Sequence, residues 1–242
     1  VVRLLGGDLV SNDPFAYGNY LDFDPRNEIE TQGTSLHIDY DFSNVTLTSI
    51  TAFRTLDQFQ SGDVDYTSAR LILPEAGDFR NTEIETFTQE IRLASNGDGP
   101  LQWVAGAFYF NEEVVQDETF GLGPDFRSYV DVLLAAAGAP GALGGVEAAL
   151  GLPAGAIYAT GTGNQSERYT LDDETLSLFV QFDYDLTDAL TLTAGMNHTQ
   201  SEKDASANVV NDNLFGALPL DALGLGALSS VQFLPPIINS PN

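Results

Sequence analysis

The sequence contains no cysteine, two histidines and few basic residues. Nine Lys and Arg stand against 35 Asp and Glu, which gives a formal net charge of −26 over 242 residues. Without cysteine, the chain can form neither a disulfide framework nor a thiolate metal site. Such a strong negative charge repels phosphate backbones and anionic headgroups, so we expect no nucleic-acid partner.

Sequence motifs of common enzyme sites are also missing. His37 and His198 lie far apart, and the chain has no HExxH, phosphate-binding glycine loop or GxSxG. The remaining pair, His198 with Ser201, has no convincing acid to orient it and is better interpreted as a polar strand end. We therefore expect no enzymatic activity, no catalytic residue, and no bound cofactor or metal.

Long apolar runs that could cross a membrane as a helix are lacking as well. The best stretch, residues 130–152, contains Asp131, Pro140, Glu147 and several glycines, which interrupt a helix and disfavour insertion. This stretch predicts a surface loop with short helices. Hydrophobic residues still make up 43% of the chain, which is enough for an ordered protein.

What the sequence does contain is alternation of apolar and polar residues in six segments. A period of two is typical of strands whose two faces meet different surroundings. The segments form three pairs joined by short turns, namely 30–42 with 45–60, 82–94 with 101–115, and 175–184 with 190–201. In residues 101–115 both faces are partly apolar, so the pattern leaves the orientation of that strand open.

The connections between these segments alternate between short and long. Short turns follow residues 42, 94 and 184, whereas long connections span 61–81 and 116–168. Outer-membrane barrels have short periplasmic turns and long extracellular loops. The segments are also longer than most globular strands, and aromatic residues near the short turns, such as Tyr40 and Tyr184, suit an interfacial girdle. The sequence therefore predicts an all-β, antiparallel up-and-down meander of about six strands in three hairpins, which forms part of a transmembrane β-barrel with long extracellular loops and short helices.

Three phrases carry a family resemblance. They are VTLTSITAFRTLDQF, then ETFTQEIRLAS followed by GPLQWVAGAFYFNEE, then LFVQFDYDLTDALTLTAGMNHTQSEKD. In order, turns and loop lengths they resemble successive barrel strands of TonB-dependent outer-membrane receptors, in particular the iron-complex (siderophore) receptors. The resemblance covers roughly residues 30 to 115 and 170 to 205.

The resemblance implies uptake of a scarce, large solute, such as a ferric siderophore, across the Gram-negative outer membrane. In that family a 22-stranded barrel is closed by an N-terminal plug, and the inner-membrane TonB complex pulls on a segment ahead of the plug. The expected partners are outer-membrane lipid, the TonB complex and a bulky small-molecule substrate.

The sequence shows no such segment, no plug domain and no terminal aromatic strand, so we expect an internal piece of the barrel. Its expected parts are a partial extracellular loop at 1–29, barrel strands and loops at 30–201 with a long loop at 116–170, and a truncated extracellular loop at 202–242.

Residues on the polar strand faces are predicted to line the lumen. They are His37, Asp39, Arg54, Glu90, Arg92, Gln181, Asp183 and Asn197. Glu90 and Arg92 are expected to neutralise neighbouring strands rather than touch substrate, because charges in a lumen need partners.

Substrate capture is assigned to the long loops, where Phe120, Phe126, Tyr129 and Tyr158 are the aromatic candidates to hold a bulky ligand. Two groups of acidic residues, Asp63 with Asp65 and residues 172–174, do not match the spacing of an EF-hand. They are interpreted as solvated acidic segments.

Two other function classes stay open at this point. A passive porin-like channel would share the strand pattern but lack the plug and its energy coupling. A secreted acidic β-sandwich that acts as a binding module would bury its apolar faces against a second sheet.

Overall fold

The computed structural model describes residues 2–8, 13, 15, 18, 20–63, 65–73, 78–161 and 164–232. The parts of the predicted loops that fall on residues 1, 9–12, 14, 16–17, 19, 64, 74–77, 162–163 and 233–242 lie outside the described residues.

Six strands form one antiparallel sheet in which each strand pairs with its neighbours in sequence order. The strands are β1 (Arg26–Asp41), β2 (Val45–Ser61), β3 (Asp78–Ser95), β4 (Leu101–Phe120), β5 (Gln165–Thr187) and β6 (Leu190–Asn211). Across the described residues this is the only sheet. The predicted all-β, antiparallel up-and-down meander of six strands is confirmed.

The strands extend well past the segments that alternation predicts. β4 continues to Phe120 and β5 begins at Gln165, inside the predicted long loop, while β6 runs beyond Ser201. Crossing a bilayer takes roughly 9 to 11 tilted residues, so the added lengths project from the membrane on the side of the long loops. There both faces are mostly polar, and the period-two signal fades although pairing continues.

Ion pairs between neighbouring strands help to hold these projecting parts together. Arg80 on β3 pairs with Glu118 on β4 at 3.0 Å, and Arg168 on β5 pairs with Asp117 on β4 at 3.1 Å. At the opposite end the short turns are linked to one another by hydrogen bonds. The Asn96 N–H donates to the Asn44 carbonyl oxygen at 3.1 Å.

Two short helices lie between β4 and β5, namely α1 (Phe126–Ala136) and α2 (Ala142–Leu150). α2 is flanked by Gly141 and Gly151, whose φ angles of 72° and 68° are readily adopted only by glycine. The described helices are all too short or too polar to span a membrane. The prediction of short helices in this stretch is confirmed.

The buried hydrophobic core lies in the long connections rather than in the sheet. Residues 68–73, 121–161 and 212–232, which we call the loop unit, pack together. Their buried residues are Ala69, Leu71, Ile72, Leu122, Phe126, Val130, Leu134, Leu143, Val146, Ile157, Tyr158, Phe215, Leu220, Leu228 and Val231. Three segments that are distant in sequence therefore fold as one packed unit above the sheet's long-loop end.

Candidate functional site

One face of the sheet carries a largely apolar belt beside the short turns, which His198 and Gln200 interrupt on β6. Directly paired residues on an antiparallel sheet point to the same side, and one row across all six strands consists of Tyr40, Leu47, Leu93, Ala105, Val180 and Met196. Several belt side chains are open to the surroundings, with Met196 71% exposed. An exposed apolar surface that spans a whole sheet suits contact with lipid.

The register also gives the orientation of β4, which the sequence pattern left open. Trp103 pairs with Phe182, and Ala107 pairs with Ile91 and Leu178. These residues lie on the belt face together with Tyr109, so Phe108 and Phe110 lie on the opposite face.

The belt ends at two polar rows on the same face. The first row contains Asn111, Glu174 and Glu202, and the next row, which contains Glu85, Glu113, Asp172 and Asp204, is acidic on β3 to β6. From Trp103 to Asn111 the chain advances eight residues, which is about 26 Å along a strand and about 20 Å across a membrane at a tilt near 40°. This height is close to the roughly 25 Å of the lipid-facing band of outer-membrane barrels.

Aromatic side chains mark both edges of the belt. Beside the short turns, the rings of Tyr40 and Phe42 meet edge to face with centroids 4.7 Å apart. Near the carboxylate row, the rings of Phe87 and Tyr109 lie 6.2 Å apart. Rings of this kind are typical of the two interfaces between hydrocarbon and water.

The opposite face of the sheet is mostly polar, and all eight predicted lumen residues lie on it. The register aligns His37 with Glu90 through Ile50, Asp39 with Arg92 through Thr48, and places Arg54, Gln181, Asp183 and Asn197 on the same side. That this polar face borders a lumen stays a prediction.

Many of these polar side chains are paired with one another. His37 Nε2 lies 3.1 Å from an Asp39 carboxylate oxygen, and the Thr48 hydroxyl donates to Asp39 at 2.7 Å. Arg92 pairs with Glu90 at 3.5 Å within β3. These contacts give the charged side chains partners on the polar face itself. They do not converge on one ligand position.

A groove of about 610 Å³ runs along the polar face of β1 to β4. Its lining includes Gly33, Arg54, Thr86 and Glu112, which follow one another in a single row. Thr86 donates a hydrogen bond to Glu112 at 3.1 Å, whereas the salt bridges formed by the described residues do not include Arg54. The Arg54 side chain thus lines the groove without a salt-bridge partner among the described residues.

An aromatic contact on the polar face was missed in the sequence. Phe179 lies across Gly106, where an added Cβ would come within 2.5 Å of Phe179 Cζ and 2.7 Å of the Ile91 carbonyl oxygen. A glycine within a strand is a sign of such close approach. The sequence contained this sign, because Gly106 lies within the predicted strand 101–115.

The loop unit is held internally by a buried ion pair between its two helices. Glu147 on α2 is 2% exposed and receives hydrogen bonds from both terminal nitrogens of Arg127 on α1, at 2.6 and 3.0 Å. The backbone N–H groups of Gly155 and Ile157 donate to the same carboxylate at 3.0 and 2.8 Å. Burial raises the pKa of Glu147, but these donors and the Arg127 charge outweigh burial and hold the pKa below its ordinary value.

Two of the four aromatic loop residues predicted to hold a ligand are instead part of the core. Phe126 and Tyr158 are buried, and their rings meet edge to face at 5.1 Å. The Tyr158 hydroxyl donates to the Val231 carbonyl oxygen at 2.6 Å. The prediction is therefore wrong for these two, because long-range packing within the loops covers them. Phe120 and Tyr129 are partly buried against the same core.

An acidic corner, formed by Asp22, Asp63 and Asp65, lies just beyond the end of β2. Asp63 is only 4% exposed. One oxygen of Asp63 accepts the Asp65 N–H at 3.1 Å, and one oxygen of Asp65 accepts the Thr67 N–H at 3.0 Å. The second carboxylate oxygen of each is buried and accepts no hydrogen bond. The interpretation as a solvated loop is therefore wrong for Asp63.

Electrostatic repulsion acts within this corner. Burial, together with the charges of Asp63 and Asp65, raises the pKa of Asp22 to about 6, and burial raises the pKa of Asp65. The other acidic segment is neutralised differently, since Asp172 accepts a hydrogen bond from Asn111 and Asp173 pairs with Lys203 at 2.5 Å. The described residues include no three acidic or histidine side chains already grouped around one metal position.

An apolar belt of membrane height, an opposing polar face and a packed unit of long loops together define the wall of a transmembrane β-barrel. A family model described as TonB dependent receptor-like, beta-barrel, matches residues 3–226, and the chain belongs to this family. Membership implies the Gram-negative outer membrane as the location, a role in receptor-mediated transport, and TonB, lipid and small-molecule substrates as the partners. No curated protein matches the chain.

Proposed function

We propose that this chain forms part of a receptor that takes up a scarce, large solute, such as a ferric siderophore, by transport energised through TonB. The observation that supports this most is one sheet with two unlike faces, an apolar belt of membrane height and a polar face with a groove beside Arg54. A wall of this kind separates lipid from an aqueous path.

In this proposal the polar face borders the lumen. The pairs His37 with Asp39 and Glu90 with Arg92 keep their charges satisfied beside water. Arg54 is the residue best placed to contact a passing substrate or a structure inside the barrel. No catalytic step is involved, because the substrate crosses unchanged.

The loop unit acts at the extracellular side. Its packed core gives a preformed surface above the sheet, so ligand binding there does not have to order three separate loops. Because Phe126 and Tyr158 are buried, ligand contacts fall to side chains on the outside of this unit.

Uptake by the whole receptor tests this proposal. The gene is deleted in the source bacterium, and entry of radiolabelled iron supplied as ferric siderophores is compared in deleted, complemented and tonB-deficient strains. We expect uptake of one ferric complex to require both genes, while the tonB-deficient strain still binds the complex at its surface. Uptake that persists without TonB, with open-channel conductance of the purified receptor in planar bilayers, would instead support a porin-like channel.

A further inference from the structure

We propose that the groove on the polar face binds an organic anion in which a carboxylate is joined to an apolar body, and that Arg54 binds the carboxylate. This inference rests on the proposed function, because it requires the polar face to border the lumen. It adds the chemical class of the solute. The groove has a volume of about 610 Å³, which lies within the usual range for sites that hold a small molecule.

Arg54 differs from the other basic residues of the sheet because it has no carboxylate partner. Of the nine Lys and Arg residues, only Arg3 and Arg54 are missing from the salt bridges of the described residues. Arg3 lies in a short 3₁₀ helix outside the sheet. The exposed Arg54 side chain lies across Gly33, where an added Cβ would come 3.2 Å from Arg54 Cγ. The groove therefore contains a cation that the described carboxylates do not neutralise.

The negative charge of the groove lies at its other end. Glu112 is on β4 and Arg54 is on β2, and strands two positions apart in a sheet are separated by about 10 Å. Thr86, between them in the row, donates a hydrogen bond to Glu112 at 3.1 Å. Because salt screens charges beyond about 8 Å at physiological ionic strength, an anion beside Arg54 experiences mainly the charge of Arg54. The site therefore favours an anion at its β2 end.

An apolar row adjoins Arg54 on the same face. Leu56, Ile84, Val114 and Leu171 pair directly across β2 to β5, and Leu56 and Ile84 line the groove. The four side chains are partly exposed and belong neither to the belt nor to the core of the loop unit. A contiguous apolar patch of this kind beside a few polar groups is typical of a surface that contacts a ligand.

The spacing of the charge and the apolar row limits the shape of the ligand. Arg54 and Leu56 point to the same side of β2, two residues apart, which is about 7 Å along a strand. A guanidinium group binds a carboxylate through two parallel hydrogen bonds, and the apolar body would then lie on Leu56 and Ile84. A compact aromatic carboxylate meets both conditions, whereas its uncharged amide lacks the ionic contact.

The experiment uses the full-length receptor in detergent, with any cysteine outside this chain replaced by serine. This chain has no cysteine, so Ser35→Cys places a single thiol in the groove. Ser177→Cys, on the polar face outside the groove, is the matched control. The rate of labelling by a water-soluble maleimide is measured with increasing 2-naphthoate or the uncharged 2-naphthamide. We expect 2-naphthoate to slow the labelling of Ser35→Cys far more than 2-naphthamide does, and neither compound to slow that of Ser177→Cys.

Substitutions added to Ser35→Cys assign this protection to Arg54. We expect Arg54→Gln to raise the concentration of 2-naphthoate for half-protection about ten-fold or more, as for the loss of one hydrogen bond to a charged group. Arg54→Lys, which keeps the charge, should raise it less. The control Arg168→Gln removes a charge that is paired with Asp117 and should leave the protection unchanged.

The outcomes separate this inference from the proposed function. If Ser35→Cys is not labelled in the absence of ligand, or if 2-naphthoate and 2-naphthamide protect it equally, the groove is not an anion site. Protection that persists in Arg54→Gln also overturns the inference. Labelling of Ser177→Cys without ligand tests separately whether the polar face borders water. Only its failure, together with that of Ser35→Cys, would count against the proposed lumen.

Discussion

Arg127 and Glu147 form a buried, two-point ion pair that joins α1 to α2 within the long connection between β4 and β5. The pair organises more than the helices, because the same carboxylate accepts the backbone N–H groups of Gly155 and Ile157. One side chain therefore fixes the second helix and the segment that follows it. The extracellular part of this receptor wall is a folded unit with a polar centre.

Removing one partner of this pair should open the loop unit without unfolding the barrel. Breaking a buried ion pair by truncating one residue costs about 3–5 kcal/mol, so we expect Glu147→Ala to expose residues 126–158 to proteolysis and hydrogen exchange. The strands should keep their protection, and Asp131→Ala, whose distance to Arg127 is 4.0 Å at an exposed position, should have little effect. Equal protection in Glu147→Ala and the wild type would contradict the role of the pair.

The same pair predicts acid sensitivity of the loop unit. The pKa of Glu147 is held below its ordinary value of 4.5 in the folded state, so the unfolded state binds the proton more readily. The stability that this carboxylate contributes is complete above pH 4.5 and is lost as the pH falls through the lowered pKa. Hydrogen exchange at residues 155–157, measured from pH 7 downward, should stay constant after correction for intrinsic rates until pH 4.5 is passed. The variant Glu147→Gln should show no such transition.

A charge introduced at the centre of the belt should destabilise the receptor far more than the same charge introduced at the next residue, which lies on the other face. Leu178 lies in a row midway along the belt, and Ser177 lies on the polar face. We expect Leu178→Arg to reduce the free energy of unfolding of the full receptor in lipid vesicles by about 2–4 kcal/mol. Ser177→Arg should change the free energy much less. A similar loss for both variants would show that the belt does not face lipid.

Gly106 should tolerate no side chain while Phe179 lies across it. Overpacking of this kind typically costs about 1–3 kcal/mol, and we expect Gly106→Val to lie in that range by denaturant unfolding in vesicles. Adding Phe179→Ala should recover only part of the loss, since the Ile91 carbonyl oxygen is also close to the added atom. Gly195 provides a milder comparison, with its nearest neighbour 3.2 Å from an added Cβ.

Removal of the Arg54 charge should affect transport more than folding. Arg54 lines the groove on the polar face, so we expect Arg54→Ala to slow substrate uptake several-fold while surface binding and the amount of receptor in the membrane stay unchanged. The matched control is Arg168→Ala, which removes an exposed charge paired with Asp117 on the other face. If both variants transport at the wild-type rate, Arg54 has no role in passage.

The strand pattern was predictable where lipid contact imposes it. Leu176, Leu178 and Val180 alternate with polar residues because one face meets hydrocarbon, so the sequence alone identifies this strand and its faces. The outer halves of the strands carry no such signal, since around Glu118 and Glu167 both faces meet water. β4 resisted assignment because Phe108 and Phe110 add apolar side chains to the polar face.

The loop unit and the acidic corner were not predictable for a different reason. Phe126 packs near Tyr158, and Tyr158 near Phe215, and no local pattern relates residues so far apart in sequence. From the sequence alone, an aromatic loop residue that binds a ligand therefore cannot be distinguished from one that is buried in a core. The burial of Asp63 likewise depends on the residues that pack around it in the folded protein, and the sequence does not show which residues these are.

The carboxylate row that contains Glu85, Glu113, Asp172 and Asp204 has a consequence for insertion. If the wall slid toward the periplasm by one such row, about 5 Å across the membrane, these side chains would enter the hydrocarbon at a cost for each charge. Movement the other way would expose the rings of Phe87 and Tyr109 beside the carboxylate row and would draw the polar short turns into the hydrocarbon. The receptor's depth in the bilayer is thus fixed by its own sequence, and the groove and the loop unit are held at constant heights relative to the membrane surface.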